Sequence, residues 1–404
     1  MSGSGNINNR FDVTPLTSDQ PGVAPNTDPQ LKDVWGVTSL QDQFWAVAQE
    51  TGQVIGLQPG GAPTVHIPLA AESLRPRAPD TTGTGIAVAS ESDQILMDIG
   101  GNCAAASMLV AAQSGKIWAV NPNISQTTAF VLADRSNVGA QFTGVAIVRM
   151  PTETTNLTTA TTMGWGGGGC GGGGGTPTPP PIPGPPVLTR VLAVDFHHER
   201  VDMFDVVDGA LRRVTPAGLQ FAIPDLPTNF APFGIFATED RVVLTAAERR
   251  AHRTGEPRID TQIPGDGLGI VAAFDLTGNL LWRTESDMFN IPWGMAMGDL
   301  RLCATSALLV GQHGNDAELD GENNQFGGAI VAMDIRTGKV VQPLLASDMQ
   351  PVRVPGLWGL TFTPGITTLN ETRLHLGAGP VRSRNGGLSE TEHGLFARLD
   401  MAMP

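Results

Sequence analysis

The sequence predicts an all-β protein, a six-bladed β-propeller with four antiparallel strands in each blade. Three observations support this fold class: an aromatic-glycine-apolar motif recurs six times, short apolar segments follow in groups of four, and one extra segment precedes the first copy. Self-similarity of this kind is typical of propellers and other repeat folds. The central glycines of the six copies are Gly36, Gly85, Gly144, Gly234, Gly294 and Gly359.

The two central residues of each motif are expected to pack differently. In four copies the glycine follows an aromatic residue, and in the other two it follows Thr84 or Thr143. We expect each aromatic side chain to pack between neighbouring blades, because large flat rings fill such interfaces well. We expect each glycine to let the backbones approach closely near the axis. The aromatic residues are Trp35, Phe233, Trp293 and Trp358.

The chain is predicted to form a single domain over residues 11–400, after a flexible N-terminus at 1–10. Turn-forming residues divide each repeat into four short apolar segments, the pattern of an antiparallel meander. The sixth repeat supplies only three segments, so the segment at 11–16 is predicted to close the ring and leave no open edge. The blades are predicted at approximately 33–70, 83–134, 142–215, 232–284, 292–346 and 357–400.

A low-complexity insert rich in Gly and Pro interrupts the third repeat at 152–186. The glycine part predicts a flexible coil and the proline part a stiffer extended segment. One interpretation is a tolerated loop expansion. The other is an interaction arm that docks on a partner protein. The residues singled out for that role are Trp165, Cys170, Pro179, Pro180 and Pro181.

Composition excludes several functional classes. The formal net charge of -14 argues against a nucleic-acid partner, which needs clustered Lys and Arg. No apolar run approaches the length of a membrane span. The first ten residues lack the apolar core of a secretory signal. The three cysteines are an odd number without metal-like spacing and predict neither a disulfide framework nor a zinc site.

The connections between second and third strands should all open on one face of the ring, which we call the mouth. These connections carry most of the histidines, and loops on a rigid scaffold are where function tends to lie. Convergent imidazoles bind metals or move protons, whereas the simpler interpretation is that they hydrogen-bond loop backbone. The candidate ligand-binding residues are His197, His198, Glu199, His313 and His393.

Two further groups lie in the same connections. Asp316, Glu318 and Asp320 resemble the first half of a calcium loop, although its last position is Gly327 rather than Glu. The sequence therefore predicts a solvated acidic loop and no cofactor, with Ca²⁺ bound at this loop as the alternative. A basic group is interpreted as contacting an anionic ligand or solvent. It consists of Arg249, Arg250, His252, Arg253 and Arg258.

Some six-bladed propeller hydrolases hold a divalent cation in the central channel, near the starts of the inner strands. The residues at or near such positions here are Asp33, Gln141, Asn229 and Asn290. Because only Asp33 among them is a carboxylate, the set is poor for a hard cation.

Several segments together resemble a family of uncharacterised bacterial proteins with NHL-like or YncE-like β-propeller repeats, many of them exported with a C-terminal PEP-CTERM sorting tail. The resemblance covers roughly residues 12–400. It implies a propeller, no established activity, and an extracellular or cell-surface location, although this chain shows no signal peptide or sorting tail. The residues that carry it are Pro292-Trp293-Gly294, Ala193-Val194-Asp195-Phe196-His197, Ala231-Pro232-Phe233-Gly234-Ile235, Phe274-Asp275-Leu276-Thr277-Gly278-Asn279-Leu280, Leu357-Trp358-Gly359-Leu360 and His393-Gly394-Leu395-Phe396.

These features predict a non-enzymatic binding or structural scaffold that has a protein partner or assembles with itself. One alternative is a metal-dependent hydrolase or lyase with its site at the mouth. The other is a structural component of a large assembly, such as a cell envelope or a virion.

Overall fold

The computed structural model describes residues 10–69, 82–151, 187–214, 221–252, 260–298, 307–314, 324–363, 374–379 and 393–402. Within these ranges the protein is almost entirely β-structure, and its helical elements are two 3-10 turns, Glu91–Asp93 and Ser136–Val138. Six small antiparallel sheets form the blades of a ring, so the predicted fold class is confirmed. No helix in the described part of the chain is long and apolar enough to cross a membrane.

The first three blades are four-stranded meanders. Blade 1 consists of Val34–Leu40, Gln43–Ala48, Gln53–Leu57 and Pro63–Pro68. Blade 2 consists of Gly83–Val88, Met108–Ala112, Lys116–Val120 and Phe130–Asp134, with an added hairpin of Leu96–Ile99 and Asn102–Ala105. Blade 3 consists of Phe142–Pro151, Val187–Asp195, Arg200–Val207 and Ala210–Val214.

The last three blades repeat the pattern with short additions. Blade 4 consists of Phe230–Ala237, Arg241–Arg250, Gly269–Asp275 and Leu280–Glu285, and Thr261–Gln262 pairs with its second strand. Blade 5 consists of Pro292–Gly298, Ala307–Gln312, Ile330–Asp334 and Val340–Pro343. Blade 6 consists of Leu357–Phe362, Leu374–Ala378, Leu395–Met401 and the N-terminal strand Phe11–Ser18, on which Asn26–Thr27 lies in parallel.

The N-terminal strand closes the ring, as predicted. It runs antiparallel to Leu395–Met401, with Phe11 opposite Met401, Ser18 opposite Leu395, and a bulge between Pro15 and Thr17. Its side chains reach two cores, because Phe11 packs with the core between blades 5 and 6 and Leu16 packs with the core between blades 6 and 1. The strand thus joins the two ends of the chain through hydrogen bonds and apolar burial together.

The motif glycines bring the inner strands of neighbouring blades into contact, as expected. A Cβ atom on Gly36 would lie 2.5 Å from the Thr84 carbonyl oxygen, and one on Gly234 would lie 2.5 Å from that of Trp293. A Cβ atom on Gly359 of blade 6 would meet the Trp35 carbonyl oxygen of blade 1. The same contact therefore continues around the whole ring.

The motif aromatics pack between neighbouring blades, as predicted, and also meet across the axis. Trp35 stacks on Trp358 of the neighbouring blade 6 with ring centroids 3.8 Å apart, and it also contacts Phe233 of the opposite blade at 6.3 Å. Trp293 meets both indoles edge-on at 5.8 Å. Blades 2 and 3 carry the smaller Thr84 and Thr143, which leaves room at the axis for four large rings.

This aromatic cluster of Trp35, Phe233, Trp293 and Trp358 lies at the mouth end of the central channel. On its other side the inner strands enclose a cavity of about 280 Å³ lined mainly by backbone and apolar side chains, among them Ile86, Ile235 and Leu360. All four aromatic residues are almost fully buried. The axis is therefore closed between the cavity and the mouth.

Several predictions fall on residues outside the described ranges. These are the N-terminus at 1–9, the insert at 152–186 with Trp165, Cys170, Pro179, Pro180 and Pro181, and the calcium-loop candidates Asp316, Glu318 and Asp320. One expectation about the cysteines was wrong. Cys103, in the added hairpin of blade 2, is disulfide-bonded, because the parity of a cysteine count does not prevent two of three from pairing.

Candidate functional site

The mouth of blades 3 and 4 contains a compact group of imidazoles, guanidinium groups and carboxylates. Asp260, in the connection between the second and third strands of blade 4, is its centre and is 2% exposed. Its Oδ2 lies 2.9 Å from His197 Nδ1 and 2.5 Å from Arg249 Nη1. Its Oδ1 lies 3.1 Å from His252 Nδ1 and accepts the His252 backbone N–H at 3.0 Å. Both oxygens of one buried carboxylate are thus occupied.

Blade 3 fixes the position of Asp260 through Gln141. The Gln141 side-chain amide donates to the Asp260 carbonyl oxygen, and the Asp260 backbone N–H donates to the Gln141 side-chain oxygen, both at 2.8 Å. Burial alone would raise the pKa of Asp260. Hydrogen bonds from the His252 backbone and from the side chains of His197, His252 and Arg249 nevertheless lower that pKa from 3.8 to about 2. Asp260 is therefore an anion at any physiological pH.

A second imidazole-carboxylate pair stands next to the first. His198 Nδ1 lies 2.7 Å from Oδ2 of the fully buried Asp195, whose Oδ1 accepts the Gln141 backbone N–H at 3.0 Å. The rings of His197 and His198 are 4.8 Å apart and nearly perpendicular. The guanidinium of Arg200 is 3.7 Å from Asp195. Asp195 and Asp260 therefore each orient imidazole rings from behind.

Arg249 connects this group to Glu199. Its guanidinium donates to the Glu199 carboxylate, to the His197 carbonyl oxygen at 3.1 Å, and to Asp260. The side chains of His197, His198 and His252 are 34%, 28% and 31% exposed, whereas that of Arg249 is 13% exposed. The three imidazoles thus form a half-exposed surface above buried acids, which we call the histidine face.

The structure brings together only part of the predicted set. His197, His198 and Glu199 belong to the histidine face. His313 is instead buried beside the aromatic cluster, with its ring stacked 3.6 Å from that of Trp358. His393 pairs through Nδ1 with Asp19 at 2.9 Å, near the closing strand.

Sequence reasoning missed Asp260 and grouped His252 only with neighbouring arginines. The local sequence offered little signal, because the same connection also contains Glu256 and Asp266 and nothing in it distinguishes Asp260. Its partners His197 and Gln141 lie 63 and 119 positions away in the chain. The available signal was that the connections of adjacent blades share one face, which would have paired the acid of blade 4 with the imidazoles of blade 3.

The residues near the inner-strand starts have structural partners. Asp33 accepts the indole N–H of Trp35 at 3.0 Å and that of Trp358 at 3.2 Å, so it holds two stacked rings. The Asn290 side chain donates to Asp266 at 3.0 Å and to Asn324 at 2.9 Å. These groups stabilise the closed axis.

No protein-family model matches this chain. Two uncharacterized proteins of Acanthamoeba polyphaga mimivirus are similar to it in sequence. One is 23% identical over 367 residues, covering 88% of this chain and 74% of the relative. The other is 23% identical over 370 residues, covering 89% of this chain and 80% of the relative. The resemblance to PEP-CTERM-sorted proteins stays a prediction.

Several solved structures have a similar fold. One is a protein of unknown function from Bacteroides thetaiotaomicron, with a TM-score of 0.49 and 10% identity; the match covers 97% of this chain and 76% of that one. A luciferin-regenerating enzyme has a TM-score of 0.45 and 8% identity, covering 96% and 95%. Virginiamycin B lyase from Staphylococcus aureus has a TM-score of 0.42 and 12% identity, covering 97% and 100%. At these scores none of the three carries an argument about this chain.

Proposed function

We propose that this protein is a non-enzymatic binding scaffold that holds a carboxylate-rich segment of a partner protein on the histidine face. The observation that carries the proposal is the set of three half-exposed imidazoles, each fixed through Nδ1 on a buried carboxylate. Such imidazoles are pre-oriented, so little side-chain entropy is lost when a ligand binds.

The chemistry of the face favours an acidic ligand. Imidazole N–H groups held by an aspartate behind them can donate hydrogen bonds to a ligand carboxylate in front. Arg200 and Arg249 add two permanent cations at the same place. Because the whole chain carries a formal net charge of -14, an acidic segment would depend on these local cations for attraction.

The closed axis supports a scaffold over a channel enzyme. A cation held at the inner-strand starts would need free oxygen ligands, and Asp33 is already bonded to the indoles of Trp35 and Trp358. The aromatic cluster also separates the mouth from the cavity. A site on the mouth surface is therefore better supported than one in the channel.

The test uses a fluorescent hexa-aspartate peptide and measures its anisotropy on titration with the protein. We expect binding that weakens with salt. The double variant His197→Ala/His198→Ala should bind about tenfold more weakly. Arg283→Ala is the matched control, since this partly exposed arginine of blade 4 pairs with Glu285 on the outermost strand. Equal loss in that control, or no binding by the unmodified protein, would contradict the proposal.

A second candidate function is a metal-dependent hydrolase or lyase. The observation in its favour is that His197, His252 and Asp260 each offer a ligand atom within 4.8 Å of the others. It predicts turnover of ester, lactone or phosphoester substrates that depends on added Zn²⁺ and is lost in His252→Ala. Turnover that survives this substitution would place the chemistry elsewhere.

The third candidate is a structural component of a virion or cell envelope. The observation in its favour is that the two relatives that cover most of the chain are encoded by a virus. Quantitative mass spectrometry of purified particles, compared with the supernatant from which they were pelleted, tests it. Enrichment with the particles is the expected result, and an even distribution would count against a structural role.

A further inference from the structure

We propose that His197, His252 and Asp260 form a binding site for a divalent transition-metal ion of the Zn²⁺ class. The inference deepens the proposed function, on which it rests for placing the ligand at the histidine face. Metal content can nevertheless be measured without any partner.

One ligand atom from each of His197, His252 and Asp260 lies within 4.8 Å of the others. The Nδ1 atoms of His197 and His252 lie 2.9 and 3.1 Å from the two oxygens of Asp260. Ligands bound to zinc at about 2.0–2.2 Å in a tetrahedron are separated by about 3.3 Å. Binding of one ion between the three side chains therefore requires an adjustment of the two imidazoles, both of which are partly exposed.

The surroundings hold the donors in place. The Gln141 side chain hydrogen-bonds both the backbone N–H and the backbone carbonyl oxygen of Asp260. The Asp260 side chain is fully buried. The two imidazole rings lie 6.0 Å apart at an angle of 37°. Hydrogen-bonded surroundings of this kind orient metal ligands in known sites. The carboxylate is also already ionised, so it need not lose a proton to bind a cation.

The guanidinium of Arg249 now supplies, beside Asp260, the positive charge that a bound metal ion would supply. Its Nη1 lies 2.5 Å from Asp260 Oδ2, and its other amino group binds Glu199. A divalent ion at Asp260 would repel this guanidinium, and Glu199 offers it a second anion at the surface. Removing the charge of Arg249 should therefore strengthen metal binding. If Asp260 served only to pair with the imidazoles, the same substitution would instead weaken the cluster.

The imidazoles must change tautomer on binding. In the metal-free state each Nδ1 donates its hydrogen to the ionised Asp260. When Nδ1 binds the ion, that hydrogen leaves through solvent and Nε2 takes one up, so a neutral ring stays neutral. The Nε2–H groups then face outward as donors. Bound metal should therefore strengthen the binding of a carboxylate peptide.

The donor set selects the ion. Two imidazole nitrogens and one carboxylate suit Zn²⁺, Co²⁺, Ni²⁺ or Cu²⁺, whereas Ca²⁺ and Mg²⁺ prefer oxygen ligands throughout. Three protein ligands leave at least one position open on a tetrahedral ion. A carboxylate of the partner segment can take that position.

The experiment is a calorimetric titration of the metal-free full chain with Zn²⁺, repeated with Co²⁺ while visible absorption is recorded. We expect one ion per chain, binding at least about tenfold weaker in His197→Ala and in His252→Ala, and tighter binding in Arg249→Gln. His66→Ala is the matched control, because His66 pairs with Asp28 at 2.7 Å and no second imidazole shares that carboxylate among the described residues. Circular dichroism confirms that each variant is folded.

The inference is overturned if the unmodified protein binds neither ion, if His66→Ala loses as much affinity as His252→Ala, or if Arg249→Gln binds more weakly. Hexa-aspartate anisotropy in EDTA and in Zn²⁺ separates the two proposals. Peptide binding in EDTA with no metal uptake removes the metal site and keeps the scaffold. Metal uptake without peptide binding removes the scaffold and keeps the metal site.

Discussion

Single glycines set how closely the blades of this ring approach one another. Gly294 of blade 5 is the most crowded of the motif glycines, because a Cβ atom there would overlap the Trp358 carbonyl oxygen of blade 6. Its φ angle is not in the left-handed region, so the restriction is steric rather than conformational. The buried indole of Trp358 is also held by Asp33, which limits how far blade 6 can move away.

Gly294→Ala is therefore expected to destabilise the protein by about 2 kcal/mol or more, the cost of inserting a methyl group where neither neighbour can yield. Gly60→Ala is the matched control, since a Cβ atom at this exposed turn would have no neighbour within 4 Å. Urea unfolding followed by tryptophan fluorescence measures both. Equal midpoints for the two variants would show that the inner strands are not as tightly opposed as described.

Hairpin turns are the elements that fix the strand register within a blade. In blade 4 the third strand ends at Asp275, whose Oδ1 accepts the backbone N–H groups of Thr277 and Asn279 at 2.9 Å. Its Oδ2 accepts the Asn279 side-chain amide at 2.8 Å. Burial raises the pKa of Asp275, but the hydrogen bonds from Asn279 and Thr277 lower it from 3.8 to about 2.

This turn gives the protein a defined acid sensitivity. The pKa of Asp275 is lower in the folded state than the value of about 3.9 expected in the unfolded chain, so its contribution to stability is complete above about pH 4. The contribution is lost as the pH falls towards 2. The difference in melting temperature between the unmodified protein and Asp275→Asn should therefore shrink over that interval. Thr277→Ser keeps both donors and should follow the unmodified profile, and a difference independent of pH would refute the assignment.

The strand order of each blade could be predicted from the sequence, because the features that determine it are local. Alternating apolar segments, Gly and Asn turns such as Gly278-Asn279, and the unpaired segment that begins at Phe11 all lie within short windows. The aromatic cluster could not be predicted in this way. Its geometry depends on Thr84 and Thr143 being small while the other four blades carry large rings. These residues meet only at the axis of the ring and are far apart along the chain.

At the scale of the whole molecule, the candidate site depends on contacts between blades. His197 lies in blade 3, whereas His252 and Asp260 lie in the connection between two strands of blade 4. Their assembly requires the ring to place the two connections side by side, and Gln141 fastens them together. No spacing along the chain encodes this arrangement, which is why the sequence indicated the histidines but missed the acid that organises them.

The disulfide at Cys103 belongs to the hairpin that is added to blade 2. Its hairpin leans towards blade 3, because the Leu96 backbone N–H donates to the Gly209 carbonyl oxygen at 2.9 Å. The other cysteines are Cys170 and Cys303. The strands that flank Cys170 in sequence belong to adjacent blade 3, whereas those that flank Cys303 belong to blade 5, three blades away. We therefore expect Cys103 to be linked to Cys170.

Peptide mapping without reductant, applied to the full chain, measures the linkage directly. Cys170→Ser should abolish the cross-linked peptide and lower the free energy of unfolding by about 2–4 kcal/mol, because the unfolded chain is no longer constrained. Cys303→Ser should leave both unchanged and is the matched control. Reduction of the unmodified protein should reproduce the loss seen in Cys170→Ser. A cross-link between Cys103 and Cys303 would instead tie opposite blades together, and the stability loss would then follow the Cys303 substitution.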